Sequence, residues 1–492
     1  MSAGDAASAG LVEHTHLFVG GRRVDPAGTD VIEVVSPHDG QLVGRVPHAS
    51  TEDVDRAVAA AREAFDHGPW PRMAVEERLE VIGRITKLMG ARAQEFAEVI
   101  TRQNGSPISW SVTNQVMGAV GHFAVTAQVA AAFPFEEEKA GMRGGPLVVR
   151  REPVGVVAAI VPWNVPQFTA ASKLAPALAA GCTVVLKPSP ETPLDAYLFA
   201  EVAAEAGLPD GVLSVLPADR EVSEYLVGHP GIDKVAFTGS VGAGKRVMEV
   251  AARNLTRVTL ELGGKSAAIV LPDAATDDVV RTVLTGSYLN NGQACVALTR
   301  VLLPRGRYDE LAARIVEAVA ALKVGDPADP DTQVGPLVSK RQQARNLDYI
   351  RIGREEGATL LLGGGVPKGL EEGAYVEPTL FGDVTNSMRI AREEIFGPVV
   401  CLLPYDTEDE AVALANDSDF GLSGAVVTAD VEHGLEIARR IRTGTFTVNG
   451  FTIDLTAPFG GYKNSGIGRE FGAAGLTAYL EQKAIALPVP AA

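Results

Sequence analysis

A single cysteine, Cys295, lies in the segment NNGQACVALTR (290–300), between a polar turn that contains a glycine and an aliphatic run. Cysteine in such a place has two interpretations. A buried cysteine is commonly a small, inert packing residue, whereas a thiolate at the end of a loop is a nucleophile that can attack a carbonyl carbon. The residue types of this segment fit both interpretations, and the rest of the chain decides between them.

Two other stretches carry residues suited to binding phosphate. In FTGSVGAGKR (237–246) the spacing matches G-x-x-x-x-G-K, but Arg246 stands where that motif requires a Ser or Thr hydroxyl for magnesium. The G-x-G-x-x-G pattern also fails, because Val247 occupies the place of its third glycine. The stretch still follows a predicted strand and opens a predicted helix, where free N–H groups favour phosphate. Lys187 in VLKPSPETP ends a second strand at the same predicted sheet edge, so the two turns together indicate a dinucleotide.

The elements that position these groups alternate regularly between residues 154 and 270. The apolar run 154–161 predicts a strand, and FTAASKLAPALAAG predicts a helix that ends at Gly181. Another helix is predicted to begin at Pro193 with Thr192 as its cap. Further strands are predicted at TVVL, VLSVL, KVAFTG and RVTLEL. Short apolar strands between helices are typical of a parallel sheet covered on both faces, which binds ligands at the carboxyl ends of its strands.

A second alternating series covers residues 272–470, with helices predicted near 308–321, 339–355 and 431–442. It predicts a second α/β domain. The stretch EEEKAGMRGGPLVVRREPV (136–154) departs from this rhythm, since it combines charges, a Gly-Gly turn and a short β run. We expect it to form a hairpin that projects from the body of the protein.

Composition excludes several classes of protein. A chain of 492 residues is too long for one hydrophobic core, so two or three domains are expected. The net charge of −17 argues against a nucleic-acid-binding surface, and no block of Lys or Arg indicates an anionic membrane. The longest apolar run, PVGVVAAIVP, is about half as long as a bilayer requires. The N-terminal MSAGDAASAG lacks the basic and apolar regions of a secretory signal.

The three cysteines, Cys182, Cys295 and Cys401, are far apart and odd in number. This arrangement excludes a disulfide framework and fits a reducing compartment. No CxxC pair or Cys/His cluster has the spacing of metal ligands, so no metal site is expected. We therefore expect a soluble, cytoplasmic protein.

Seven segments, taken together and in order, resemble those of the aldehyde dehydrogenase superfamily, in its NAD(P)-dependent, hydrolytic, non-CoA-acylating branch. They are PWNVP (162–166), VLKPSPETP (185–193), FTGSVGAG (237–244), LELGGKS (260–266), NNGQAC (290–295), EEIFGPV (393–399) and PFGGYKNSGIGRE (458–470). The resemblance covers essentially the whole chain, and it favours the nucleophile interpretation of Cys295.

The resemblance implies an α/β protein in three parts. A Rossmann-like parallel-sheet cofactor domain would comprise residues 1–135 and 155–262, and a second α/β catalytic domain residues 263–470. Residues 136–154 and 471–492 would form small β oligomerisation elements, which supply strands for pairing between subunits of a homodimer or homotetramer.

The resemblance also implies roles for five residues. Cys295 would attack an aldehyde as a thiolate, although a free thiol near pKa ~8.5 is mostly protonated at neutral pH, so the site must lower that pKa or supply a base. The side chain of Asn164 and the backbone N–H of Cys295 would stabilise the oxyanion of the resulting thiohemiacetal. After hydride transfer, Glu261 would activate the water that hydrolyses the thioester. Lys173 and Glu470 match family positions thought to relay the proton outward.

For the cofactor, NAD with NADP as an alternative, the matching positions are distributed over five segments. Ile160, Pro162, Trp163 and Asn164 would line the approach, Lys187 and Ser189 would face the adenine ribose, Gly239, Ser240 and Gly244 would form the turn near the pyrophosphate, Glu261, Leu262 and Gly263 would lie near the nicotinamide, and Glu394 and Phe396 near its ribose. One position departs from the family. NAD-preferring relatives often have Glu where this chain has Pro190, with Glu191 next in line, so the repulsion of a 2′-phosphate is weaker or displaced.

The aldehyde tunnel is predicted from family positions to be mostly apolar and to contain no cation. Its predicted residues are Val165, Phe168, Ser172, Ala294, Val296, Ile453 and Phe459. These residues favour a neutral hydrophobic aldehyde over a carboxylate-bearing semialdehyde.

Other readings of the sequence remain open at this stage. A CoA-acylating relative would usually lack the glutamate, and a papain-like hydrolase would need a histidine partner for its cysteine. A non-catalytic NAD-binding relative would be expected to lose Cys295 or Glu261, and this chain has both.

Overall fold

The computed structural model describes residues 10–142 and 145–488. Most of the N-terminal stretch weighed above as a secretory signal, the first glycine of the predicted Gly-Gly turn and the last four residues of the C-terminal element lie outside the described residues. The strands are β1 (Val12–Glu13), β2 (Leu17–Val19), β3 (Arg22–Val24), β4 (Val31–Val35), β5 (Leu42–Pro47), β6 (Glu136–Ala140), β7 (Pro146–Pro153), β8 (Val156–Ile160), β9 (Thr183–Lys187), β10 (Leu213–Val215), β11 (Lys234–Thr238), β12 (Arg257–Glu261), β13 (Ala267–Val270), β14 (Arg300–Pro304), β15 (Thr359–Leu362), β16 (Thr379–Gly382), β17 (Val399–Tyr405), β18 (Gly424–Val427), β19 (Thr447–Val448), β20 (Gly466–Ile467) and β21 (Leu480–Ala486). The helices are α1 (Thr51–Asp66), α2 (Val75–Ala91), α3 (Ala93–Asn104), α4 (Ile108–Trp110), α5 (Met117–Ala132), α6 (Pro166–Ala180), α7 (Leu194–Glu205), α8 (Arg220–Gly228), α9 (Val241–Ala251), α10 (Thr276–Ser287), α11 (Tyr308–Ala320), α12 (Lys340–Glu355), α13 (Arg389–Arg392), α14 (Glu408–Asn416), α15 (Val431–Arg440) and α16 (Gly472–Thr477).

The first large sheet has eight strands in the order β20-β12-β11-β8-β9-β10-β2-β3. The five strands from β12 to β10 are parallel, and β20, β2 and β3 join antiparallel. Alternate residues of β8 enter two different cores: Val157 and Ala159 pack with α2, α5 and α6, whereas Val156 and Ala158 pack with α1 and α9. The parallel sheet covered on both faces is therefore confirmed.

The second large sheet has seven strands in the order β15-β16-β17-β14-β13-β18-β19, and only β15 runs antiparallel to its neighbour. Its two faces also bury separate apolar clusters. The predicted helices of this region are present as α11, α12 and α15, which confirms a second α/β unit.

Two elements cross the domain boundaries expected from sequence. Strand β20, expected in the second domain, pairs with β12 of the first sheet, and α16, expected in a C-terminal oligomerisation element, packs on α5 and α6. The expected hairpin forms a three-stranded antiparallel sheet in the order β21-β7-β6. A further small sheet, β1-β5-β4, was not expected.

Of two helix ends predicted near the site, one is correct and one is wrong. Helix α6 ends where Gly181 adopts a left-handed backbone with φ +97°, as expected. The predicted cap at Thr192 is wrong, because its hydroxyl has no hydrogen-bond partner among the described residues. Instead the side chain of Gln103, on α3, accepts the first N–H of α7, from Leu194, at 3.0 Å.

Candidate active site

The loop that carries Cys295 has an unusual backbone. Asn290, Asn291 and Gly292 are all left-handed, with φ of +48°, +60° and +72°. Asparagine tolerates this conformation better than most residues, and glycine adopts it freely. A Cβ at Gly292 would also lie 2.2 Å from the carbonyl oxygen of Gly397. The polar NNG turn is therefore needed to bring the thiol to its position.

Side chains of the same turn anchor it to the surrounding structure. The amide nitrogen of Asn291 donates to the backbone oxygens of Gly105, at 3.0 Å, and Pro336, at 2.9 Å. Its amide oxygen accepts the N–H of Gly335 at 2.6 Å. Asn291 is fully buried, so these three bonds satisfy a side chain that would otherwise be costly to desolvate.

Asn164 is held beside the thiol by the same loop. Its side-chain nitrogen donates to the backbone oxygen of Gln293, two residues before Cys295, at 2.9 Å. Its backbone oxygen accepts from the side chain of Asn290 at 2.9 Å. An amide nitrogen has two hydrogens, and the described residues give this one a single acceptor. Its second hydrogen therefore has no acceptor among the described residues.

An open cleft of 240 Å³ reaches Cys295 from the carboxyl edge of the first sheet. Its lining combines residues predicted from sequence with others that were not. Those predicted are Pro162, Trp163, Asn164, Val165, Gly239, Ser240, Leu262, Gly263, Cys295, Glu394 and Phe396, and those not predicted are Thr169, Thr238, Gln342 and Arg345. Loops from both α/β sheets thus meet around the thiol.

The Cys295 thiol is not activated by its protein surroundings. Burial raises its pKa, and the negative charges of Glu261 and Glu394 raise it further. The thiol is therefore protonated at neutral pH, and a base must remove its proton before it can attack.

Glu261 ends β12 and is 2% exposed, and neither of its carboxylate oxygens has a hydrogen-bond partner within the described residues. Burial raises its pKa well above the usual range, and repulsion from Glu470 adds to the shift. The positive charges of Lys173 and Arg469 and the nearby backbone of Gly461 offset it only in part. A buried carboxylate with a raised pKa is a stronger base than an exposed one.

Lys173 and Glu470 form a buried ion pair rather than a surface pair, with Nζ 2.6 Å from Oε1. The lysine also donates to the Thr238 hydroxyl at 2.7 Å. Ser172, predicted for the tunnel, also contacts this cluster, because its hydroxyl donates to Glu470 and to the backbone oxygen of Thr169, both at 2.9 Å. These contacts engage the Ser172 hydroxyl, and its place in the aldehyde tunnel stays a prediction.

An apolar cluster surrounds the other side of Cys295. It includes five predicted tunnel residues and five that were not predicted. The predicted members are Phe168, Ala294, Val296, Ile453 and Phe459, and the additional ones are Leu289, Leu422, Phe451, Leu455 and Phe471. Val165 lines the open cleft rather than this cluster.

One imidazole completes the aromatic wall. His122, on α5, contacts the ring edges of Phe168 and Phe471, with ring centroids 4.6 and 4.5 Å apart. Phe471 in turn stacks on Phe459 at 4.7 Å. Burial lowers the pKa of His122 to about 3, and the charge of Lys173 adds to this shift, so the ring is neutral.

Glu394 lines the open cleft that reaches Cys295. Its carboxylate accepts the N–H of Gly264 at 2.8 Å, and a Cβ at Gly263 would approach the same carboxylate to 2.4 Å. Burial raises the pKa of Glu394 to about 7. Nearby, the rings of Trp163 and Phe396 meet edge to face with centroids 5.3 Å apart.

The 239–244 turn separates this cleft from a smaller apolar cavity of 80 Å³. Ser240 caps α9, accepting the N–H of Ala243. Gly244 is buried against Leu262, whose side chain a Cβ would approach to 2.5 Å, so it allows close packing of helix and strand. The smaller cavity is lined by Ile160, Arg220, Ser223, Glu224, Val227, Phe237, Ala243, Arg246, Val247 and Val250. Ile160 thus faces the small cavity rather than the approach to Cys295.

The residues around Pro190 are tied to one another. Ser189 donates its hydroxyl to Glu191 at 2.5 Å, and Arg341 pairs with the same carboxylate at 3.1 Å. Lys187 ends β9 at the sheet edge, and burial lowers its pKa to about 8. The displaced carboxylate Glu191 is therefore already neutralised by an arginine.

Gln342 and Arg345, both on α12, are cleft residues that sequence reasoning missed. Gln342 donates to the backbone oxygen of Phe396 at 2.8 Å. Phe396 is left-handed, with φ +66°, and such strained residues cluster at ligand sites. A polar residue on a helix gives no sequence signal for this contact. Over residues 10–142 and 145–488 there is no cluster of three potential metal ligands and no helix able to span a bilayer.

Known proteins share both the sequence and the geometry of this chain. A sequence model of the Aldehyde dehydrogenase family matches residues 24–485. Geranial dehydrogenase from Castellaniella defragrans is 48% identical, over 97% of this chain and 99% of that protein. The 3-succinoylsemialdehyde-pyridine dehydrogenase of a Pseudomonas species is 43% identical, over 96% and 98%.

Solved structures agree with this assignment. An aldehyde dehydrogenase from Mycobacterium tuberculosis, complexed with NAD+, superposes with a TM-score of 0.97 at 49% identity and covers 98% of this chain and 100% of its own. A cysteine-to-alanine variant of aldehyde dehydrogenase C from Pseudomonas syringae, complexed with NAD+ and octanal, has a TM-score of 0.93 at 43% identity, with 96% of both chains covered. The chain described here belongs to the aldehyde dehydrogenase family.

Proposed function

We propose that this protein oxidises a neutral hydrophobic aldehyde to its carboxylic acid, with NAD as the oxidant and Cys295 as the nucleophile. One observation carries the proposal: the thiol lies where an open cleft meets an apolar cluster, with an anchored amide beside it. The cleft suits a cofactor and the cluster suits the carbon chain of an aldehyde.

The first step forms a bond between the sulfur of Cys295 and the carbonyl carbon of the aldehyde. The thiol proton passes to solvent water in the open cleft as the sulfur of Cys295 attacks the carbonyl carbon, and the carbonyl electron pair moves to its oxygen. The free amide hydrogen of Asn164 and the backbone N–H of Cys295 stabilise this oxyanion, each by roughly 3–4 kcal/mol. The need for a base follows from the raised pKa of the thiol.

The cleft residues fit a dinucleotide. The capped N-terminus of α9 offers N–H groups to a pyrophosphate, and the smaller apolar cavity suits an aromatic base. Lys187 and Ser189 would bind the adenine ribose. Glu394 would accept hydrogen bonds from the nicotinamide ribose, and the absence of a Cβ at Gly263 leaves room for its carboxylate. NAD+, when bound, accepts the hydride that leaves the carbon as the C=O bond forms again.

The second half-reaction releases the acid. Glu261 removes a proton from water, the resulting hydroxide attacks the thioester carbon, and the sulfur leaves and regains a proton. The Lys173–Glu470 ion pair would receive the excess proton, because the charge of Glu470 already acts on Glu261. Release to CoA would need no general base, so Glu261 favours hydrolysis.

The substrate class follows from the apolar cluster. Aromatic and aliphatic side chains pack against the thiol, and burial favours the neutral form of the His122 imidazole, so this wall suits the carbon chain of a hydrophobic aldehyde better than a carboxylate. Two similar proteins are consistent with this class, since one is named for geranial and the other binds octanal. A pyridine-containing semialdehyde is the substrate named for a third, which makes that class the alternative outcome.

The test measures NADH formed from octanal and from succinic semialdehyde. We expect Cys295→Ala to abolish activity and Cys401→Ala, which removes a buried thiol that lies outside the cleft, to retain it. Equal activity of the parent and Cys295→Ala would refute the mechanism. A higher kcat/KM for succinic semialdehyde than for octanal would refute the substrate class alone.

We further propose a homodimer or homotetramer in a cytoplasmic, reducing compartment. The edge strands β6 and β21 of the small sheet are free to pair with another subunit, and Ile485 and Leu487 beside them are 38% and 44% exposed. The three cysteines are unpaired in the described structure, which fits reducing conditions. Light scattering should give a multiple of 51.5 kDa, and a monomer would contradict the proposal.

A further inference from the structure

Asn104, the last residue of α3, and the two residues that follow it contact the segments that carry Asn164 and the 290–292 turn. The side chain of Asn104 donates to the backbone oxygen of Asn164 at 3.2 Å, and the backbone oxygen of Gly105 accepts from Asn291. The hydroxyl of Ser106 donates to the side-chain oxygen of Asn290 at 2.5 Å. We call residues 104–106 the bracing turn. None of its residues was singled out by sequence.

Ser106 is the connecting member of a buried hydrogen-bond chain. It is 1% exposed, and its hydroxyl oxygen accepts from the side-chain nitrogen of Gln115, on the π-helical turn between α4 and α5, at 2.9 Å. Because the side-chain oxygen of Asn290 carries no hydrogen, the Ser106 hydroxyl is the donor of that bond. The chain then continues from the amide nitrogen of Asn290 to the backbone oxygens of Asn164, at 2.9 Å, and Gln293, at 3.3 Å.

This chain sets the direction of two amide groups. If the side chain of Asn290 were reversed, its oxygen would face the backbone oxygen of Asn164, and two acceptors would meet in a buried site. The hydrogen bond from Ser106 favours the observed orientation. That orientation fixes the backbone of Asn164 and the backbone oxygen of Gln293, to which the Asn164 side chain donates. The direction of the oxyanion donor therefore depends on a hydroxyl that is far from it in sequence and does not contact it.

We propose that Ser106 is a positioning residue for oxyanion stabilisation, acting through Asn290 on Asn164. This rests on the proposed function, in which the Asn164 amide binds the oxyanion. Ser106 touches neither the thiol nor the cleft, so its effect is on the rate of the chemical step rather than on binding of cofactor.

The first test compares Ser106→Ala with Ser111→Ala. Ser111 is an equally buried hydroxyl on the neighbouring π-helical turn, bonded to Thr101 at 2.9 Å and outside the chain that leads to Asn164. We expect Ser106→Ala to lower kcat about tenfold with KM for NAD+ within twofold, Ser106→Thr to recover most of the loss, and Ser111→Ala to leave kcat unchanged. Equal kcat values for Ser106→Ala and the parent would overturn the proposal.

The second test is a double-mutant cycle with Asn164→Ala. Because Ser106 acts through Asn164, Ser106→Ala should cost nothing further in the Asn164→Ala background, whereas a purely structural role gives additive losses and refutes the proposal. Should Ser106→Ala not fold, Asn290→Asp replaces it, since it keeps the acceptor for Ser106 and removes the donor to Asn164. Full activity of Asn164→Ala would refute the proposed function itself, a result distinct from a failure of Ser106 alone.

Discussion

The cleft side and the tunnel side of Cys295 differ in the polar groups that they contain. On the cleft side, Glu261 is a buried carboxylate and Glu394 a half-buried one, both with raised pKa values, and one amide hydrogen of Asn164 has no acceptor among the described residues. On the tunnel side, Phe168 and Phe459 pack in an apolar cluster. The cleft side stores unsatisfied polar groups, which are expensive to bury and useful for chemistry.

This contrast separates reaction from specificity. Substitutions on the cleft side should change the rate for every aldehyde by similar factors, because the reacting atoms are the same. Substitutions on the tunnel side should change the ranking of aldehydes and leave small ones nearly unaffected. Four substitutions, in order of decreasing expected effect, test this division between reaction rate and substrate specificity.

Glu261→Gln should lower steady-state kcat by about 10³-fold for all aldehydes, since the base for thioester hydrolysis is removed. The neutral amide occupies nearly the same volume, so the fold should be kept. Rapid-quench measurement should show that the thioester persists longer in the variant than in the parent. The exposed carboxylate variant Glu249→Gln serves as control and should behave as the parent. Parent-like turnover in Glu261→Gln would assign the base to another residue.

Asn164→Ala should lower kcat/KM by about 10²-fold, equally for acetaldehyde and octanal, because one oxyanion donor is lost. Steady-state kinetics with both aldehydes measure this. A loss confined to octanal would place Asn164 in substrate recognition and break the division between the two sides.

Phe459→Ala should lower kcat/KM about tenfold for octanal and less than twofold for acetaldehyde. The lost ring is worth roughly 1–3 kcal/mol of apolar contact to a long chain and little to a short one. A panel of linear aldehydes measures the dependence on chain length. Equal losses at all lengths would mean that the ring holds the catalytic groups rather than the substrate.

Glu394 should produce the smallest effect, a pH dependence of cofactor use. Burial raises its pKa to about 7, so the carboxylate that accepts hydrogen bonds forms only as pH rises through that value. The kcat/KM for NAD+, which reports the free enzyme, should therefore rise several-fold between pH 6 and about pH 8 and then level. Glu394→Gln should flatten this limb. An unchanged limb in that variant would assign the titration elsewhere.

The sequence predicted the fold well where the signal was local. The α6 segment ends at Gly181 because only a left-handed residue continues the chain there, and apolar runs became the parallel strands. The Thr192 cap failed because Gln103, remote in sequence, supplies the acceptor instead. Strand β20 pairs with the first sheet for a similar reason. The sequence pattern of a two-residue strand is too short to determine its pairing, which depends on contacts with the neighbouring strand.

The site was predicted through family motifs. The residues that this prediction missed share one physical cause. Phe471 and Leu455 give no motif, and only the folded chain brings them to Phe168. Ser172 was assigned to the tunnel by position, and the hydrogen bond from its hydroxyl to Glu470 was not predicted. Buried polar partners such as Ser106 are invisible for the same reason, since their role depends on contacts between segments distant in the chain.

The central claim is that a covalent acyl group forms on Cys295 and that Glu261 removes it. The direct measurement is mass spectrometry of Glu261→Gln, acid-quenched after mixing with octanal and NAD+. The account predicts the parent mass plus one octanoyl group in place of hydrogen, on the peptide that contains Cys295. An unmodified Cys295 after one turnover of NADH has formed, or an acyl group on Cys182 or Cys401, would contradict it.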